Sequence, residues 1–285
     1  MPHSHVPHPD APQGIATPFV HAALPAFGLI VVGDELLSGR RSDRHIPKMI
    51  ELLTQRGLAL SYVHMLGDDR PCLVRLLQQV LASGDVVMCC GGIGATPDDH
   101  TRQAAAAAAG VELVMHPVAR NLIEQRMQEQ AQQKGQAFDP RHPDNVQRLQ
   151  MAMLPAHAHI IPNPYNRIAG FSVGHVHFFP GFPVMAHPMI AWVLDHFYAR
   201  WHNMRDWSEQ ALIVKNASEA SLTPLMESLE ARWPAIRIFS LPSVDHPVHG
   251  AHIELGVKGP AQMARDAFDA LRQELLNGQI PFSTA

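Results

Sequence analysis

The sequence predicts an α/β protein built on a mostly parallel sheet, followed by a small α+β module. Three observations predict it. Residues 27–32 and 86–90 are short apolar runs with β-branched residues, as expected of strands buried on both faces. Around them, segments with apolar residues at helical spacing alternate with the strands, which implies parallel pairing through right-handed crossovers. Beyond residue 208 the order changes to strand, helix, strand, strand, helix, the pattern of a two-layer module.

Each element has its own signal. The strand at 27–32 ends at Gly33 and opens a loop over 33–40. Ser42 or Asp43 is placed to cap a helix that carries Ile46, Met49, Ile50 and Leu53 and closes at Gly57. A strand over 58–65 leads to the loop Gly67-Asp68-Asp69. Pro71 suits the first turn of the next helix, whose apolar face is Leu73, Leu76, Leu77, Val80 and Leu81. The strand at 85–90 runs into a loop over 91–99 and an Ala-rich helix over 100–109, stopped by Gly110. Residues 111–115 read as a short strand. Residues 117–153 read as a polar, Gln-rich helix, which suits a narrow packing stripe or an oligomer interface. Two Pro- and Gly-rich segments, 161–171 and 178–183, read as rigid irregular loops, and a helix follows over 183–201. A composition shift at 202–208 marks a boundary. Past it, strands at 211–215, 235–241 and 251–257 and helices at 218–232 and 260–276 are expected. The plan is a disordered His- and Pro-rich lead over 1–24, an α/β domain over 25–202 and an α+β domain over 208–285.

Composition narrows the function classes. With 285 residues and 46% hydrophobic content the chain can bury one large core or two smaller ones. A net charge of −4 leaves no cationic excess to neutralise a nucleic-acid backbone. Three cysteines without a C-x-x-C make no disulfide framework and fit a reducing compartment. No apolar stretch approaches the roughly 18–20 residues of a membrane span, and the lead lacks the apolar centre of a secretory signal. The expectation is a cytoplasmic protein without nucleic-acid or membrane partners.

Ligands of open parallel sheets bind at the carboxyl ends of the strands. Two loops leave such ends with unusual composition. After residue 90, Gly91, Gly92 and Gly94 allow backbone N–H groups to approach a ligand closely, Thr96 adds a hydroxyl, and the loop feeds a helix N-terminus, together an anion cradle. After residue 32, Ser38, Gly39 and Arg40 are placed to complete it, and Arg167 in the later Asn-Pro loop offers a bidentate phosphate contact. Asp34, Glu35, Asp98 and Asp99 set carboxylates beside this cradle. Either a hard cation such as Mg²⁺ lies between them and the phosphate, or they hydrogen-bond a polar ring or ribose. The paired histidines His157/His159 and His175/His177 are better explained by the 19 histidines in the chain than by a metal. No G-x-S-x-G, Walker-type or H-E-x-x-H motif supplies a nucleophile or zinc site.

These residues carry a family resemblance. Gly33-Asp34-Glu35-Leu36-Leu37-Ser38-Gly39 resembles the G-D-E-[IL]-x-x-G opening of the competence/damage-inducible protein A (CinA-like) family. Residues 91–101, GGIGATPDDHT, resemble its G-G-[LI]-G-P-T-x-D-D-x-T signature, residues 163–171 its N-P-x-G-T-A-P-G-F stretch, and residues 179–183 its L-P-G-[VF]-P loop. The resemblance implies a three-layer α/β/α domain of the MoaB/Mog type, a homo-oligomer, and a small-molecule pterin or nucleotide ligand. By the family's roles, Ser38, Gly91, Gly92, Gly94 and Thr96 would contact the ligand; Gly39, Thr101, Asn163 and Arg167 are the further candidate contacts. Asp34, Glu35 and Asp99 would be catalytic, with Asp34, Asp98 and Asp99 around a divalent metal (Mg, Mn or Co). The implied function is to hold the phosphate end of molybdopterin in molybdenum cofactor biosynthesis, as a carrier or as a transferase. The alternatives are metal-dependent hydrolysis of a nucleotide pyrophosphate such as ADP-ribose, and a silent binding protein. Ala95 departs from the family's proline, and residues 166–169 depart from G-T-A-P. Too few residues follow Pro183 for the nicotinamide-nucleotide deamidase domain of longer relatives, so that activity is not expected.

Overall fold

The computed structural model describes residues 24–204 and 206–284; apart from Leu24, the expected lead lies outside them. The chain divides into two compact units, with the boundary between His202 and Asn203.

The first unit begins with β1 (Phe27–Val32), a one-turn helix α1 (Asp34–Leu37), α2 (His45–Thr54), β2 (Leu60–Leu66), α3 (Arg70–Ser83), β3 (Val86–Cys90) and α4 (Thr101–Ala109). It continues through β4 (Leu113–Met115), α5 (Pro117–Gln133), α6 (Pro143–Leu149), β5 (Met153–Pro155), β6 (His159–Ile161), β7 (Gly170–Val173), β8 (Val176–Phe179) and α7 (Pro183–Phe197). Six strands form one sheet in the order β2-β1-β3-β8-β7-β6. The first four are parallel, and β7 runs antiparallel to both neighbours.

Side-chain alternation along β1 shows why the unit has three layers. Phe27, Leu29 and Val31 join one core with Met49 and Leu53 of α2 and Met189 and Val193 of α7. Ile30 and Val32 join the opposite core with Leu73 and Leu77 of α3, Ala104 of α4 and Ile123 of α5. A strand covered on both faces is apolar throughout, and the α/β/α sandwich follows from that.

Capping fixes the helix starts. Asp43 accepts from the backbone N–H groups of His45 (3.0 Å) and Ile46 (2.9 Å). Asp69 accepts from Cys72 N–H at 2.8 Å ahead of α3, where Pro71 sits in the first turn.

Three expectations are corrected. Residues 117–153 are not one helix: Gly135 turns left-handed at φ 66° and Pro140 interrupts the chain, giving α5, α6 and then β5. The segments at 161–171 and 178–183 are not wholly irregular. Their apolar runs form β7 and β8, a hairpin with Phe171 stacked on Phe178 at 4.5 Å, and the prolines stay outside the strands. The loop at 33–40 contains α1.

The second unit has β9 (Trp207–Val214), α8 (Glu219–Arg232), β10 (Arg237–His246), β11 (Gly250–Pro260), α9 (Ala261–Asn277) and β12 (Phe282–Thr284). The antiparallel sheet has the order β10-β11-β9-β12. Leu212, Leu255 and Val257 pack with Leu222, Leu229, Leu271 and Leu275 of its two helices. β12 and the longer hairpin strands exceed the expected elements; strands lengthen where a partner supplies ladder bonds, which apolar content does not reveal.

A buried polar chain crosses the first unit's core. Ser172 Oγ lies 2.7 Å from His177 Nδ1, and His177 Nε2 lies 2.5 Å from Tyr198 Oη. Full burial pushes His177 down to about 3. The folded state therefore keeps this imidazole neutral while the unfolded chain protonates it near the ordinary value of about 6.5. The stability it supports is present above that value and drains away as pH falls towards 3. His177→Gln is expected to flatten the dependence of the urea midpoint on pH between 6.5 and 4. An unchanged slope would remove His177 as its source.

Candidate functional site

The carboxyl ends of β1 and β3 open into a cavity of about 890 Å³, lined by Val32 and Gly33 from one strand end and by Gly91, Gly92 and Gly94 from the other. The sheet order reverses here, since β2 lies beyond β1 and β8 beyond β3, which places the cavity where ligands of open α/β sheets bind. The volume lies within the range of small-molecule sites, about 300–1,000 Å³.

The glycine loop is held by close contacts that exclude side chains. Gly91 has φ 109°, and a Cβ there would strike the Val32 carbonyl. Gly92 has φ 68°, and a Cβ would strike Thr101 Oγ1. Gly91 N–H donates to Phe179 O (3.0 Å), and Thr101 N–H donates to Gly92 O (2.9 Å). The loop thus ties β1, β8 and the start of α4 together. Thr101 is fully buried, and its Oγ1 has no hydrogen-bond partner.

The carboxylates are divided between cavity and scaffold. Asp99 Oδ2 accepts from Thr96 N–H (2.8 Å) and from Thr96 Oγ1 (2.5 Å), so it fastens its own loop. Asp34 and Asp68 exchange contacts: Asp34 N–H donates to Asp68 Oδ2 (3.1 Å) and Asp68 N–H to Asp34 Oδ1 (3.2 Å). Glu35, Asp68, Asp98 and Asp99 line the cavity, whereas Asp34 does not. Burial, together with the nearby charges of Asp34, Asp98 and Glu35, raises the Asp68 carboxyl above its ordinary value. Among the described residues, no three His, Cys, Asp or Glu side chains are placed to hold a metal ion, so Asp34, Asp98 and Asp99 are not brought into one ligand set.

The remaining expected residues separate in the same way. Gly91, Gly92, Gly94 and Thr96 line the cavity; Ser38 and Gly39 are exposed and do not. Asn163 is buried beneath the Asn-Pro loop, donating to Asn166 Oδ1 (2.8 Å) and Ile168 O (2.9 Å), and thereby sets Asn166 and Ile168 on the cavity wall. Arg167 pairs with Glu129 at 2.6 Å and does not line the cavity.

Besides Asp68, sequence reasoning missed four residues. Arg41 and Arg44 supply the positive charge of the cavity; the signal was the cluster Arg40, Arg41 and Arg44 just after the first loop. His45 lines the cavity, donates through Nε2 to Gly181 O at 3.1 Å and leaves Nδ1 buried without a partner. Burial holds its pKa below the ordinary value, although its bond to Gly181 opposes that. Arg102 is buried, donates to Gly94 O at 2.5 Å and also to Gln150 O, clamping the glycine loop to the turn after α6. Nothing in an Ala-rich helix singles it out.

The fold and cavity define a three-layer α/β protein with a glycine-loop cavity at the sheet's switch point. Residues 28–199 match the family described as "Probable molybdopterin binding domain", and the chain belongs to that family. A CinA-like protein of Anaeromyxobacter dehalogenans is 28% identical over 248 residues, 81% of this chain and 58% of its own length. A protein of Pyrobaculum calidifontis is 26% identical over 260 residues, covering 89% of this chain and 95% of its own length. The chain thus spans less than two thirds of the CinA-like proteins it matches and nearly all of the Pyrobaculum protein. The crystal structure of CinA from Thermoplasma acidophilum, of unknown function, superposes with a TM-score of 0.51 at 25% identity, over 60% of this chain and 98% of that one.

Thr101→Val keeps the shape of the buried side chain and removes an unpartnered hydroxyl. It is expected to leave the free protein as stable as wild type or about 1 kcal/mol more stable, as read by urea unfolding. A loss of more than about 1 kcal/mol would mean that the hydroxyl is already satisfied.

Proposed function

We propose that the cavity holds the phosphate end of a pterin, molybdopterin being the ligand class that the family suggests. One observation carries this reading: Gly91, Gly92, Gly94 and Thr96, in the loop that leads into α4, line the cavity together with Arg41 and Arg44. The helix N-terminus favours an anion there, the glycines let it approach the backbone, and Arg41 and Arg44 add positive charge. The apolar lining from Met151, Ile168 and Met185 suits a flat ring.

The test is ligand-induced stabilisation. Molybdopterin is expected to raise the melting temperature in proportion to the logarithm of its concentration. Arg44→Gln should weaken the affinity about tenfold or more, the worth of one charge-assisted hydrogen bond. No stabilisation at saturating ligand would reject the reading.

Asp68 favours a second reading, hydrolysis of a nucleotide pyrophosphate. It lines the cavity with Glu35, Asp98 and Asp99, and burial, with the nearby charges of Asp34, Asp98 and Glu35 as lesser causes, raises its carboxyl above the ordinary value. A divalent cation there would rest on one or two carboxylates and the ligand's own phosphate oxygens, because no set of three side chains converges among the described residues. The binding reading expects no AMP release from ADP-ribose with Mg²⁺, Mn²⁺ or Co²⁺. Release that stops with chelator and in Asp68→Asn would replace it with the hydrolytic one.

A further inference from the structure

Met151, Asn166 and Ile168, which line the main cavity, also line a second hollow of about 260 Å³ bordered by α5, α6 and the Asn-Pro loop. Its volume falls below that of ordinary whole-ligand sites, about 300–1,000 Å³, and matches a fragment of a ligand. The two spaces differ in charge. Four carboxylates line the main cavity, whereas the second hollow has none in its lining and carries Arg126 and Arg148 with Gln130 and Tyr165.

Neither arginine is committed to a strong partner. Arg126 Nε is buried without a hydrogen bond. Its Nη1 lies 3.7 Å from Glu129 Oε2, but Glu129 is drawn to Arg167 at 2.6 Å. Arg148 Nη1 reaches Gln130 Oε1 at 3.4 Å. An orphaned guanidinium donor beside a second guanidinium, with no acid in the wall, is satisfied by an oxyanion, whose geometry the planar fork matches.

We propose that this hollow is an anion subsite that takes a phosphoryl group of the ligand remote from the one at the glycine loop. A ligand that fills both spaces is a small molecule with two separated phosphoryl groups; molybdopterin, with one phosphate, occupies the main cavity and leaves the subsite to a second anion. The subsite stands on Arg126 and Arg148; only its joint use with the main cavity rests on the reading given above.

Inorganic phosphate is the probe. It is titrated into the intact protein while the arginine Nε–Hε signals are followed by ¹⁵N NMR, with the Arg126 signal assigned by its loss in Arg126→Lys. A saturable shift of that signal is expected in wild type and in Thr101→Val, weakened about tenfold or more in Arg148→Gln. Acetate should produce no comparable shift; saturation by acetate at lower concentration than phosphate would overturn the phosphoryl assignment. Absence of a saturable phosphate shift, with molybdopterin stabilisation intact, overturns the subsite and leaves the main-cavity reading standing. A saturable shift without molybdopterin stabilisation does the reverse.

Discussion

The contact on which the site depends is the passage of Gly91 and Gly92 between the Val32 carbonyl and the Thr101 hydroxyl. Both glycines have positive φ, and at each a Cβ would collide with a group that cannot move aside cheaply, a strand carbonyl or a fully buried side chain. With glycine in both places the backbone lies against the ends of β1 and α4 at once. The helix therefore begins close to the strand end, tied to it through the Thr101 N–H to Gly92 O bond. The other clamps follow from that placement. Arg102 fastens Gly94 and Asp99 fastens Thr96, so a loop of small residues is held in one shape by its neighbours. These clamps fix the loop's conformation through contacts within the chain.

Charge is arranged along the site rather than concentrated in it. Glu35, Asp68 and Asp98 gather near the first loop, Arg41 and Arg44 follow directly after it, and Arg126 and Arg148 stand in the hollow that shares a wall with the cavity. An anionic group entering the site meets repulsion from the carboxylates and attraction from the other side. A ligand with anions and a polar, uncharged ring has one favourable orientation: the ring's donors towards the carboxylates and the anions towards the glycine loop and the arginines. The acids then contribute selectivity even with no cation between them.

Much of this was legible in the chain because local physics dictated it. The run 27–32 is apolar at every position because both sheet faces are covered, and its strand was found with both ends correct. The glycines at 91, 92 and 94 were legible because only a close backbone approach explains them together. What escaped depends on distant partners. The strands at 170–173 and 176–179 are short and flanked by Pro and Gly, and they exist because β3 offers β8 a ladder. Arg167 looked like a phosphate clamp in its loop, but Glu129, 38 residues earlier, holds it. Arg102 lies in a helix that reads as featureless, and its role appears only when Gly94 and Gln150 are brought to its two ends.

Asp34 illustrates how a motif residue can serve a site without entering it. In sequence it stands beside Glu35 at a strand end, and the pair reads as two equivalent carboxylates. In the fold it turns away from the cavity and receives the Asp68 N–H, while Asp68 receives its own. Gly67 is required for this, since a Cβ there would collide with the Asp34 carboxylate. The exchange ties the end of β2 to the loop after β1 and presents Asp68, rather than Asp34, to the cavity. Burial raises the Asp68 carboxyl above its ordinary value, the Asp34 N–H opposes that rise, and the charges of Asp34, Asp98 and Glu35 add a smaller upward push. The carboxylate that the G-D-E motif offers at this strand end is thus represented at the cavity surface by Asp68, a residue the motif does not contain, and Asp34 holds it in position.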